Sequence, residues 1–315
     1  MRSIIILSLL FVSNNLFSQK SNRLSASEFL INSTVKIETV KPVFSNGVSK
    51  DYIFTGTGFF FNFNLTVGEL PVIVTNRHVL EGAKEISFYF KFYDSLGSIS
   101  YTHSEKLNID ALKWLIINHP DSTIDLAIIP IQPLFYNQKQ LKKSIVSAAY
   151  RESNIPNDSV QKTFTAIEDV YMIGYPFGLK DNTSGLPIVR KGITSTPLYL
   201  NYNLKPEFLC DIPVYPGSSG SPIIVYSPNG YLTNNSDWVY GFRLWLTGIN
   251  YATYTSDFKG KITPIISQNP SDSNVVITPI PYNIGIVIKS QKLLDFKPLF
   301  LTTLSSAQPT PPAGN

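Results

Sequence analysis

Ile86, Phe88, Phe90 and Phe92 alternate with Ser87, Tyr89, Lys91 and Tyr93, a period of two that predicts a half-buried β-strand. Short runs of the same kind occupy Val35–Val40, Phe54–Phe61, Val72–Thr75, Trp114–Ile117 and Leu126–Ile129. Between about Asn137 and Ser159 the pattern loosens into Lys, Gln, Asn, Ser and Pro, which marks a connection between two halves. Strand signals resume at Val170–Ile173, Ile188–Ile193, Phe208–Ile212, Ile223–Tyr226, Phe242–Ile249 and Ile284–Ile288. Gly and Pro turns break these runs at the spacing of barrels or sandwiches. Helical signals are confined to the edges. Ser25-Ala26-Ser27-Glu28 is a capping-box pattern, and Ser290–Phe296 reads as a terminal helix halted before Pro298. Ser305–Asn315 is a Pro/Ser/Ala-rich tail, and no solenoid-type repeat is present.

Composition agrees with an all-β reading. The 315 residues are 43% hydrophobic and 15% charged, with many Tyr, Phe, Thr, Asn, Gly and Pro. That length holds one large β domain or two barrels. Arg2 is followed by the apolar run Ile4–Val12 and then Ser and Asn, a signal-peptide core too short for a bilayer of roughly 30 Å. Cleavage is expected near Ser18-Gln19, which divides the chain into a leader at 1–18, halves at 19–145 and 146–300, and a tail at 301–315. No cysteine lies near the cleavage region to take a lipid, and no later segment is apolar enough to span a membrane. The expected location is secreted or periplasmic. Net charge falls from +4 to +3 without the leader, too weak and scattered to imply nucleic acid. The single Cys210 cannot form an internal disulfide.

The chemistry concentrates in Pro216-Gly217-Ser218-Ser219-Gly220-Ser221-Pro222. A serine in a glycine turn can present both a nucleophile and backbone N–H groups to a developing oxyanion, provided that a base removes its proton. Three histidines exist. His78 follows an apolar strand in Thr75-Asn76-Arg77-His78-Val79, downstream of the Gly-rich strand Thr55-Gly56-Thr57-Gly58-Phe59. His103 sits in a polar stretch and His119 precedes Pro120 in a loop, so both read as structural. Asp125 opens the apolar run Leu126–Ile129, where a carboxylate needs a partner or water. Asp121, four residues earlier, is the weaker acid. The order His78, Asp125, Ser219, with gaps of 47 and 94 residues, excludes the α/β-hydrolase arrangement, whose histidine comes last. It also excludes the aspartate-first order of subtilisin, which would need Asp51.

The chain resembles the chymotrypsin-like (trypsin-fold) serine peptidases, in particular bacterial members without disulfides. The matching motifs are Thr-Gly-Thr-Gly-Phe at 55–59, Thr-Asn-Arg-His-Val at 75–79, Asp-Leu-Ala-Ile at 125–128 and Gly-Ser-Ser-Gly-Ser-Pro at 217–222. Leu246-Thr247-Gly248-Ile249 resembles the strand lining the primary pocket, and Asn283–Ile288 the closing strand. The resemblance implies two antiparallel six-stranded barrels with a short C-terminal helix and a polypeptide substrate bound in the cleft between them. His78 would be the general base, Asp125 its orienting acid and Ser219 the nucleophile. Backbone N–H groups of Gly217 and Ser219 would form the oxyanion hole, and Pro213, Asn250, Tyr251 and Ala252 would line or edge the substrate pocket. Neither a cofactor nor a metal is implied, and a monomer is expected.

Two departures from the family pattern matter. Ser218 stands where animal relatives carry the aspartate that receives a new amino terminus, and Pro213 stands where trypsin-type members carry an acidic selector. Basic specificity is therefore not implied. Glutamate-selective relatives place a histidine where this chain has Asn250. Arg77 beside the base keeps open a catalytically silent binding protein of the same fold, and an unrelated β-rich surface protein is the third reading.

Overall fold

The structure, a computed structural model, describes residues 24–45, 47–66, 68–261 and 275–300. The leader at 1–18 and the tail at 301–315 lie outside the described residues. Ser25 caps the first helix, α1 (Ala26–Asn32), and its hydroxyl and backbone exchange hydrogen bonds with Glu28 as the capping box requires.

Eight strands form the first sheet. They are β1 (Thr34–Ser45), β2 (Val48–Leu65), β3 (Gly68–Thr75), β4 (Glu85–Tyr93), β5 (Ile99–Asp110), β6 (Ile117–Asn118), β7 (Ala127–Pro130) and β8 (Tyr150–Arg151). The order is β5-β4-β1-β2-β3-β7-β6, with β8 pairing parallel to β2. Two of the eight, β6 and β8, are only two residues long, leaving six principal strands. Because β8 joins here, the first sheet extends past residue 145. The second unit is a closed antiparallel barrel, β10-β11-β16-β15-β12-β9. Its strands are β9 (Asp169–Gly174), β10 (Ile188–Thr194), β11 (Glu207–Asp211), β12 (Pro222–Ser227), β15 (Arg243–Lys261) and β16 (Val275–Lys289), while β13 (Gly230–Leu232) and β14 (Trp238–Tyr240) form a separate ribbon. The fold is all-β.

Alternation predicts the core. Phe88 and Phe90 of β4 are buried with Ile37 and Ile73 in the first sheet, and Met172, Phe208, Ile223 and Val287 fill the barrel. A third cluster joins the two: Phe59, Phe61 and Tyr150 pack with Ile173, Ile224, Ile249, Ile288 and Phe296. This shared apolar wall fixes the sheet against the barrel.

Several elements differ from the pattern-based expectation. β5 is a strand despite its polar sequence, because it lies at the edge of the sheet and hydrogen bonds only to β4. The stretch read as a connection begins inside helix α3 (Gln132–Gln140), which buries Leu134 and Gln138 and ends four residues into that stretch. Of Trp114–Ile117 only Ile117 enters a strand, since Asp110 accepts the N–H groups of Lys113 and Trp114 in a turn. The terminal segment Ser290–Phe296 is a 3₁₀ helix. It continues into an α-helical turn at 297–300, with Pro298 in the first turn, where the missing N–H costs nothing.

One polar network in the first sheet carries a measurable consequence. Strand pairing sets Lys36 of β1 opposite Tyr89 of β4 and Tyr89 opposite Lys106 of β5, with Glu38 two residues along β1 on the same face. The Glu38 carboxylate accepts from Lys36 Nζ at 2.8 Å, Lys106 Nζ at 2.9 Å and Tyr89 Oη at 2.7 Å. Burial pushes the Glu38 pKa up, but these donors and the Lys36 charge outweigh it and lower the value to about 2. A depressed carboxylate stabilises the fold above its ordinary pKa of 4.5, and that contribution fades as pH falls toward about 2. Glu38→Gln is therefore expected to cost on the order of 2–3 kcal/mol at pH 7 and to flatten the acid limb of a urea-denaturation series below pH 4.5. An unchanged acid limb would contradict the assignment.

Candidate active site

β3 ends at Thr75, and after an extended Asn76 the chain turns into the one-turn helix α2 (Arg77–Leu80). β7 pairs with β3 in the register Thr75↔Ala127, which carries Asp125 alongside His78. Asn76 Nδ2 holds the Asp125 carbonyl at 2.8 Å. Asp125 Oδ2 lies 2.5 Å from His78 Nδ1, and Oδ1 accepts the His78 backbone N–H at 3.0 Å. Both carboxylate oxygens thus fix one residue, ring and backbone together. Burial of Asp125 pushes its pKa up, but the hydrogen bonds and charge of His78 and the charge of Arg77 more than offset this and hold it below the usual carboxylate value. An ionised Asp125 orients Nδ1–H toward itself and leaves Nε2 as the acceptor nitrogen of a half-exposed ring.

Ser219 reaches the same place from the barrel. Thr57 N–H donates to the Ser219 carbonyl at 2.8 Å, and Thr57 Oγ1 donates to the Gly217 carbonyl at 2.8 Å. The preceding residue, Gly56, supports Val79 of α2: a Cβ on Gly56 would sit 2.6 Å from Val79 Cγ1. The adjacent residues Gly56 and Thr57 therefore seat the neighbour of His78 and the carbonyl of Ser219 respectively. No hydrogen bond joins Ser219 Oγ to His78 among the described residues.

The N–H groups of the turn divide into two sets. Ser218 N–H donates to Tyr215 O, Gly220 N–H to Asn250 O and Ser221 N–H to Ser218 O. Gly217 and Ser219 N–H have no acceptor among the described residues, although both residues lie inside this tightly bonded turn. Each is aimed by the carbonyl of its own peptide, because C=O and N–H of a trans peptide point oppositely. Pro216 O is held by Phe177 N–H, and Ser218 O by Ser221 N–H at 3.0 Å. Donors left without an acceptor in so tightly bonded a turn are free to meet one, so these two N–H groups can receive an oxyanion formed beside Ser219.

The remaining expected residues fall as follows. Pro213 is half-buried, and its carbonyl accepts from Arg190 Nη1. Asn250 is wholly buried with neither amide atom paired among the described residues. It lies against the surroundings of Gly285, where a Cβ would sit 3.0 Å from Asn250 Oδ1 and 3.1 Å from Cys210 Sγ. Tyr251 stands at a register shift between β15 and β16 and donates its hydroxyl to Glu207 at 2.9 Å, and Ala252 is half-buried. His103 is exposed, 3.6 Å from Glu105. His119 is buried, with Nε2 3.1 Å from the Lys292 carbonyl. Asp121 accepts from Thr123 within its own loop, and Asp51 pairs with Lys84. Burial pushes the Cys210 thiol up to about 12, so it is a core residue without nucleophilic character. Phe177 and Arg190 were not singled out from sequence, and Asn76 entered only as a member of the Thr-Asn-Arg-His-Val motif. Their roles arise from contacts between distant segments, which no local motif displays. Among the described residues no group of three His, Cys, Asp or Glu is placed to hold a metal.

Residues 56–233 match the sequence model of the trypsin-like peptidase domain. Comparison with curated proteins gives no match. Similar solved structures include an inactive-form mutant of Rv3671c from M. tuberculosis H37Rv, at 13% identity and TM-score 0.38, covering 90% of this chain and 91% of that one. The inactive form of the Rv3671c protease gives 13% and 0.40, covering 85% and 89%. The MamO protease domain from Magnetospirillum magneticum, in its apo form, gives 13% and 0.35, covering 85% and 97%.

Proposed function

The chain belongs to the trypsin-like peptidase domain family, and from that premise we propose that it is an exported serine endopeptidase acting through His78, Asp125 and Ser219. Ser219 Oγ attacks a peptide carbonyl while His78 Nε2 takes its proton, and Asp125 stabilises the resulting imidazolium. The oxyanion settles on the Gly217 and Ser219 N–H groups. Proton return from His78 releases the amine and leaves an acyl-enzyme on Ser219, which water hydrolyses by the same route. The leader at 1–18 would direct export, and the substrate is a polypeptide bound by a monomer without cofactor. The observation that carries this reading is the pair of unpaired N–H groups, Gly217's and Ser219's own, at a serine that shares its β2 support with the His78 helix.

A second reading, a catalytically silent binding protein, draws on the absence of a Ser219–His78 hydrogen bond among the described residues. That bond is often long before substrate binds, so its absence does not outweigh the donor arrangement. Treating the full chain with a fluorophosphonate probe and mapping the adduct separates the two. Modification of Ser219, together with cleavage in a peptide library, supports the enzyme. No adduct and no cleavage would leave the silent protein.

A further inference from the structure

Arg190 lies on β10 opposite Met172 of β9, in the sequence Ile188-Val189-Arg190-Lys191 that reads as an ordinary solvated strand. The structure turns its side chain inward. Nη1 donates to the carbonyl of Pro213, and Nη2 donates to Ser218 Oγ at 3.0 Å and lies 3.1 Å from Met172 Sδ. Nε is buried without a partner, and no carboxylate comes within ion-pair distance among the described residues. A guanidinium stays charged under nearly all conditions, and taking an unpaired cation out of water is costly. Both strong contacts of this cation go to one short segment, the start and the middle of the turn that carries Ser219.

The middle contact is the informative one. Ser218 is wholly buried, and its hydroxyl accepts from both Arg190 Nη2 and the Tyr215 N–H, the latter at 3.2 Å. Its N–H and C=O are bonded to Tyr215 O and Ser221 N. Ser218 is thus anchored at three points, and the peptides on either side of it determine where the flanking N–H groups point. With only neutral backbone bonds, a turn this rich in glycine has many alternatives. A planar fork fixed to a barrel strand and donating to two sites spaced along the turn removes most of them.

Building on the peptidase reading, we infer that Arg190 is the positioning residue of the oxyanion turn, a permanently charged internal clamp that keeps the Gly217 and Ser219 N–H groups directed at substrate. It touches neither substrate nor the reacting atoms. Loss of the clamp should therefore lower turnover and leave substrate binding nearly intact, because the oxyanion forms only as the reaction proceeds.

The experiment compares the native full chain with Arg190→Met, Arg190→Lys and Arg190→Ala. In Arg190→Met, kcat is expected to fall about 100-fold, as for loss or misplacement of an oxyanion donor, with KM within about threefold. Arg190→Lys retains the charge but cannot span both acceptors, and should fall between. Guanidinium chloride at non-denaturing concentration should restore turnover in Arg190→Ala at least about tenfold, which a merely structural defect would not allow. Unchanged kcat in Arg190→Met, or parallel loss of folded protein and activity without guanidinium rescue, overturns the assignment. Amide exchange gives an answer independent of catalysis. The Phe177, Ser218 and Ser221 amides should exchange at least about tenfold faster in Arg190→Met while those of Met172 and Ile173 do not. If the native chain takes no fluorophosphonate, the peptidase reading fails, and this exchange pattern still decides whether Arg190 fixes the turn.

Discussion

A chain carrying Ser219→Ala is expected to turn over its peptide substrate about 10⁶-fold more slowly than the native chain, and adding His78→Ala should cost almost nothing more. The reason is physical. Ser219 has no strong nucleophilicity of its own, and the half-exposed His78 ring has nothing to deprotonate once the hydroxyl is gone. On the proposed mechanism each member therefore acts only through the other. Asp125→Asn should cost less, about 10⁴-fold. Asparagine can retain contacts to the His78 ring and backbone N–H now made at 2.5 and 3.0 Å, but it loses the charge and favours the wrong tautomer. What survives in all these variants is hydrolysis supported by the Gly217 and Ser219 N–H groups and by substrate binding. Steady-state kinetics on the two single variants and the double variant settles the matter. Multiplying losses would mean that Ser219 and His78 work independently, and a triad would be the wrong description.

How much of this was legible in the sequence depends on how local the cause was. Strand β4 shows its apolar face through Ile86, Phe88 and Phe90, which are buried as the alternation predicts, but Ser87 and Lys91 of the opposite face are buried as well, so the strand is not half-exposed. The juxtaposition of His78 and Asp125 was readable from their places beside two apolar runs, and the β3–β7 register brings those runs together. β5 was not readable, since an edge strand with one neighbour needs little apolar sequence. Helix α3 was hidden for a similar reason, as it buries only Leu134 and Gln138. The largest omission is the support of the serine turn. Thr57, Phe177 and Arg190 come from three separated segments; Thr57 stood inside a Gly-rich motif that did not show its role, and Phe177 and Arg190 have the local context of a plain loop and strand. A motif reveals the residues that meet substrate more readily than those that hold them still.

The same support predicts where the fold is least tolerant. Gly220 follows the serine with φ +86°, and a Cβ there would lie 2.0 Å from Thr57 O and 2.5 Å from Thr75 Oγ1. Thr75 Oγ1 donates to that same Thr57 carbonyl at 2.7 Å, so neither obstacle is a side-chain end that can swing aside. Gly220→Ala must move the Ser219 turn away from β2, breaking the Thr57 N–H to Ser219 O bond, besides accepting a strained backbone. A loss of about 3–5 kcal/mol in urea denaturation is expected, with fluorophosphonate labelling reduced in whatever fraction stays folded. Gly82→Ala isolates the backbone part. Gly82 has φ +71° with nothing within 4 Å of its Cβ position, so only the backbone cost of about 1 kcal/mol applies. Equal losses in the two variants would show that the turn does not press against β2. The close seating of Ser219 beside the His78 helix would then have to be abandoned, along with the chemistry built on it.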